Sequence, residues 1–167
     1  MKEVYQYFVE GEDEKRLIEV LKTDMRLIKP GKIQIVNVVQ ERLTDLKLRV
    51  LLEGTNLIFI FDTDTGNTEI LLENIKKASK AANVKKVYCI TQVKNIEDEL
   101  ERSTDVKKIE ELLNSGSRSE FKRDFIREKN LKQKLEAHSF DIKKLWSMKP
   151  ESPFEQVANE SSFIKDI

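Results

Sequence analysis

Ile58-Phe59-Ile60-Phe61-Asp62-Thr63-Asp64-Thr65-Gly66 passes from four apolar residues straight into two aspartates and a glycine. The apolar run has no polar side, and bounded by a turn it reads as a strand covered on both faces. The pattern extends back to Asn56, so the predicted strand is Asn56–Phe61. A second junction of the same kind opens the chain. Val4–Val9 is a short β-rich run, and it ends in Glu10-Gly11-Glu12-Asp13-Glu14. A helical pattern follows each junction. Carboxylates at the C-terminal ends of strands in an α/β sheet lie in the crevice where such sheets place their chemistry. Several acidic side chains gathered there repel one another unless a cation joins them, and hard oxygen ligands suit Mg²⁺ or Mn²⁺.

Outward from these two strands the chain alternates. Leu17, Val20, Leu21, Met25 and Ile28 recur at helical spacing, predicting a helix over Glu12–Leu27 whose acidic start favours the positive end of its dipole. Lys29-Pro30-Gly31-Lys32 is a turn, and Ile33–Val39 reads as a strand. Leu43–Leu52 is helical in pattern and stops at Glu53-Gly54, a C-cap signal. Asn67–Ala82 is an amphipathic helix carrying Ile70, Leu71, Asn74, Ile75 and Ala78 on one side, and Lys86–Thr91 is a fourth strand. The order β-α-β-α-β-α-β implies a mostly parallel four-stranded sheet with helices on both faces. After Thr91 the pattern turns helical, over Ile96–Leu100, Val106–Leu113, Glu120–Ile126 and Leu131–His138. The tail holds Phe140, Ile142, Leu145, Trp146, Phe154 and Phe163, which are expected to pack onto the body. The organisation read here is an α/β core over residues 1–92 and a C-terminal helical extension over 93–167 packed on it.

Composition narrows the classes. The 167 residues carry 30 basic and 30 acidic side chains, so binding to nucleic acid by bulk charge is excluded, although local patches are not. One cysteine, Cys89, rules out an internal disulfide, and its apolar surroundings read as core. A single histidine, His138, cannot build a histidine metal site. No apolar stretch approaches the about 20 residues that cross a bilayer. Met1-Lys2-Glu3 leads directly into a strand rather than a signal peptide, so a cytoplasmic protein is expected.

A strand ending in Val9-Glu10-Gly11, two strand–helix units, and a strand ending in Asp62-Thr63-Asp64 resemble the Toprim domain. That module is shared by topoisomerases, bacterial primases, recombination-repair proteins and a group of nucleases. The resemblance covers about residues 1–92 and implies a Rossmann-like Toprim fold. It implies acid/base work or metal binding for Glu10, Mg²⁺ or Mn²⁺ coordination by Asp62 and Asp64, and a tight backbone turn at Gly11 beside the site. Gly66 arrives one position sooner than in the family pattern Asp-x-Asp-x-x-Gly. The chain is closest in character to small nucleases of the overcoming-lysogenization-defect type, which carry further acidic residues, for a second metal, and a basic residue beyond the last core strands. Here Glu97 is the preferred match, ahead of Glu99, and Lys94 the expected phosphate contact. Asn95 capping an acidic helix start is the plainer reading of the same segment.

The segment with Arg118, Lys122, Arg123, Arg127, Lys129, Lys132 and Lys134 offers a basic surface. Phe121 and Phe125 form an i,i+4 pair turned to the core, leaving Lys122 and Arg123 to contact phosphate or solvent. Trp146 is read as core rather than a base-stacking platform. The expected function is metal-dependent hydrolysis of DNA or RNA phosphodiesters, in a bacterial setting that by analogy includes phage defence. No ATPase fingerprint is present, so any motor is a separate partner, and exposed tail aromatics would allow a homodimer. Two alternatives stay open: a non-catalytic Toprim-type module that binds nucleic acid or a partner, and a phosphatase using Asp62 as nucleophile.

Overall fold

The structure is a computed structural model and describes residues 2–166. Four strands form one sheet: β1 Val4–Val9, β2 Lys32–Ile35, β3 Thr55–Asp62 and β4 Val84–Gln92. Their order is β2-β1-β3-β4 and every pairing is parallel, an α/β fold with a Rossmann-like layout. From β1 the chain moves outward to β2, then returns across β1 to β3 and on to β4. Right-handed crossovers require the helix of the first move to lie on one face and those of the later moves on the other. That is the arrangement found. Tyr7, Val9, Ile58, Ile60 and Ile90 share a core with Leu17 and Ile18 of α1 (Glu12–Glu19). Phe8, Leu57, Phe59 and Phe61 pack with Leu48 of α2 (Asp45–Arg49) and with Leu71 and Ala78 of α3 (Glu69–Ser79). The direction of winding reverses between β1 and β3, and a crevice opens there at the strands' C-terminal ends.

Several elements differ from the sequence reading. α1 does not run unbroken to Leu27; it passes into a π-helical turn, Val20–Asp24. The second strand stops at Ile35 because Asn37 folds the chain into a turn, its Oδ1 accepting from Val39 N (3.1 Å) and Gln40 N (3.2 Å). α2 is shorter than Leu43–Leu52: Thr44 caps its start, accepting from Lys47 N at 3.2 Å, and Val50 is its C-cap. Gly54 instead takes φ +77° in the turn before β3. Asn74 earns its place on the apolar side of α3. It is buried, accepts from Leu43 N (2.9 Å) and donates to the carbonyls of Val38 and Glu41 (2.8 Å each).

The second half contributes α4 Ile96–Ser103, α5 Glu110–Leu113, α6 Arg118–Arg127 and α7 Leu131–Ala137. Leu100, Ile109, Phe121, Phe125, Leu135 and Trp146 belong to the same apolar cluster as the α1 face of the sheet. Phe121 and Phe125 face inward as their spacing requires, ring centroids 5.5 Å apart. Trp146 is fully buried, Cys89 is buried, and Phe163, though partly exposed, stacks on Tyr88 at 4.0 Å. Phe154 crosses to the other face and meets Phe61 at 6.1 Å. Among the described residues no helix is long and apolar enough to cross a membrane.

Candidate metal centre

Strand register brings the site together. Val9 pairs with Ile60, so Glu10 falls beside the end of β3, and Asp62 pairs with Gln92 at the end of β4. Glu10 Oε1 accepts from the backbone N–H of Asp62 at 3.0 Å, joining the two strand ends. Gln92 is fully buried, and its Nε2 donates to Asp62 Oδ1 at 2.7 Å and more weakly to Glu14 Oε1 at 3.4 Å. Glu14, in the first turn of α1, turns into the crevice and is buried. One carboxylate oxygen from each of Glu10, Glu14 and Asp62 lies within 4.8 Å of the others. Glu14 Oε2 is buried with no hydrogen-bond partner.

The electrostatics of this trio follow from burial. Desolvation raises the carboxyl pKa of Glu10, Glu14 and Asp62 alike. After burial, the neighbouring Asp13 raises Glu14 further, and the charge of Glu10 does the same for Asp62. Gln92's hydrogen bond opposes the shift at Asp62, as the Asp62 N–H does at Glu10. Three close carboxyls, one with an orphaned oxygen, form a donor set in need of protons or a cation. Hard oxygen donors of this kind fit Mg²⁺ or Mn²⁺, and Glu10, Glu14 and Asp62 are the residues that would hold it.

The remaining predicted residues take different positions. Asp64 is exposed; it lines the same cleft, of about 430 Å³, outside the close trio, where Glu14 takes the place expected for it. Glu97 lines the cleft from α4, half-buried and with its pKa raised by burial and by Asp13. Glu99 points the other way and is structural: fully buried, it accepts from Val93 N (2.8 Å) and Trp146 N (3.0 Å) and faces Arg102 at 3.0 Å. Asn95 caps α4, accepting from Asp98 N at 2.9 Å. Lys122 lines the cleft, 3.9 Å from Asp13. Arg123 does not line it and sits 3.4 Å from Asp124. Arg118 does line it, tied to Asp98 and Glu101 at 2.8 Å each. Lys94 is exposed in an adjoining cleft, and its carbonyl accepts from Thr63 N at 2.9 Å. Gly11 needs no special turn. Its φ of −159° is open to any residue, but a Cβ there would approach Asp13 Oδ1 to 3.3 Å and Glu14 Oε2 to 3.4 Å. Its missing side chain leaves room for carboxylates.

Glu14, Gln92 and Trp146 were not among the predicted site residues. Glu14 had a signal: positions 14, 17, 18 and 21 form one stripe at helical spacing, and Leu17, Ile18 and Leu21 are all buried. Gln92 stood one residue beyond the predicted strand end. Trp146 reaches it across 54 positions of sequence, its Nε1 donating to Gln92 Oε1 at 3.2 Å, and no local pattern announces that contact.

Compared with models of protein families the chain matches none, and among curated proteins it has no significant match.

Proposed function

We propose that the chain is a Mg²⁺- or Mn²⁺-dependent nuclease of the Toprim type, hydrolysing phosphodiester bonds of DNA or RNA in the cytoplasm. The observation that carries this reading is the orphaned Glu14 Oε2 beside Glu10 and Asp62, at the crevice where the sheet reverses its winding. A divalent cation bound there supplies charge stabilisation at phosphoryl oxygens and lowers the pKa of bound water. Gln92 holds Asp62 in position through Oδ1. Glu97 is a further carboxylate on the cleft wall, available to a second ion. Lys122 is paired only loosely, with Asp13 at 3.9 Å, and can turn its ammonium to a phosphate. The cleft is lined almost wholly by polar groups, which suits a charged substrate backbone. A setting in bacterial defence and a separate ATPase partner belong to the same proposal, by analogy with the family.

The test is incubation with plasmid, single-stranded DNA and total tRNA in Mg²⁺, Mn²⁺ or EDTA. Cation-dependent cleavage that disappears in Glu10→Gln and Asp62→Asn is the expected result. Binding without cleavage under every condition would replace the nuclease by a binding module. Phosphate release from monoesters without strand cleavage would replace it by a phosphatase.

A further inference from the structure

Three clefts are linked through shared lining residues. The carboxylate cleft shares Asp64 with a second of about 480 Å³, and the second shares Met148 with a third of about 790 Å³. The third is lined entirely by the tail, between Lys143 and Lys165. Its charge is opposite to that of the first: Lys143, Lys149 and Lys165 line it against one carboxylate, Glu155. Lys165 is engaged with the Leu145 carbonyl. Lys143 and Lys149 are exposed, and among the described residues neither has a carboxylate within 4 Å. Between them Met148 is 47% exposed. Lys94 and Arg102 line the middle cleft with Asp64, Asp98 and Glu151; Arg102 is paired with Glu99 and Asp98 with Arg118, so Lys94 is the cation there that has no carboxylate within 4 Å among the described residues.

We propose that the tail cleft docks a single-stranded segment of nucleic acid, on the reading that the carboxylate cleft acts on phosphodiesters. Lys143 and Lys149 contact successive phosphates, and Met148 supports an unpaired base. Lys94 meets the backbone on its way from the carboxylates. A strand is favoured over an acidic peptide because the basic cleft is linked to the carboxylate cleft through the middle one, so one linear polyanion with regularly spaced charges can reach both. It is favoured over a duplex because Met148, exposed in the same cleft as both lysines, offers apolar contact to an unstacked base, whose face a duplex keeps inside.

The experiment is anisotropy of a fluorescein-labelled single-stranded oligonucleotide, titrated in EDTA so that cleavage plays no part. Lys143→Glu/Lys149→Glu should weaken binding about tenfold or more, and flatten the salt dependence by about 0.7 per lost phosphate contact. Lys143→Arg/Lys149→Arg should retain binding, which separates charge from fold. Unchanged affinity and salt slope in the charge reversal would overturn the inference. So would a wild type that binds polyglutamate but no oligonucleotide, which would assign the cleft to an acidic protein partner. Mn²⁺-dependent hydrolysis of bis(p-nitrophenyl) phosphate by the wild type tests the carboxylate site separately. If hydrolysis is absent while charge reversal abolishes strand binding, the nuclease reading falls and the docking site stands.

Discussion

Trp146 and Gln92 meet through one hydrogen bond, Nε1–H to Oε1 at 3.2 Å, and both side chains are fully buried. An indole N–H can only donate, so the amide must present its oxygen to Trp146 and its NH₂ to the carboxylates. That orientation gives Asp62 Oδ1 and Glu14 Oε1 their donor and leaves Glu14 Oε2 free.

Trp146→Phe keeps an aromatic ring but removes the donor. It should cost about 1–3 kcal/mol through the unsatisfied amide oxygen. Cation affinity should fall about tenfold or more, as for other outer partners of metal ligands. Calorimetric titration with Mn²⁺ measures the second effect; an unchanged affinity would show that the amide needs no help to hold its orientation.

Glu14→Gln separates cost from function. Neutralising a buried carboxyl that its surroundings disfavour should leave the melting temperature in EDTA unchanged or raised. The stabilisation given by Mn²⁺ should shrink. Melting curves with and without Mn²⁺ decide it, and equal Mn²⁺ stabilisation of variant and wild type would remove Glu14 from the ligand set.

The raised pKa values fix the sign of a pH effect. Above the ordinary carboxyl range, the folded chain gives up the protons of Glu10, Glu14 and Asp62 less readily than the unfolded chain does. This contribution is complete below about pH 4 and is lost as pH rises toward the folded-state values. In EDTA the trio therefore erodes stability with rising pH. Mn²⁺ needs the deprotonated groups, so its stabilising effect should grow between about pH 5 and 8. Melts across that range with and without Mn²⁺ should diverge; parallel curves would contradict the assignment.

Glu99→Ala strips acceptors from Val93 N and Trp146 N and leaves Arg102 without its counter-ion. Each buried N–H left without its acceptor costs about 1–3 kcal/mol, and Arg102, 31% exposed, adds less. Glu99→Gln, which keeps one acceptor oxygen, should cost less. Urea denaturation ranks the two, and a mild Glu99→Ala would argue against a structural role.

Cys89 should be inert. Burial, reinforced by the charge of Glu160, pushes its thiol up to about 12. Ellman's reagent at about pH 8 should react only after denaturant is added.

The parallel sheet was legible because Ile58–Phe61 lacks any polar side, a pattern only a doubly covered strand sustains. The pairing of Glu10 with Asp62 was legible for the same reason, since strand ends in such a sheet converge. Spacing alone does not tell that the strand ends at Asp62, which leaves Asp64 on the cleft wall outside the close trio. Glu14 was hidden inside an acidic run that already satisfied a helix start. The tail from Ser139 onward forms only short turns, with no periodicity to read, and the contacts that seat Trp146 are long-range. Trp146 over Gln92 is therefore a product of tertiary packing alone.

One apolar cluster binds the sheet to helices drawn from both halves of the chain. Inactivating alleles recovered from a genetic screen should therefore scatter as densely beyond residue 93 as before it, many of them far from any atom that meets substrate. A map of such lesions would trace the body of the molecule, not the outline of its cleft.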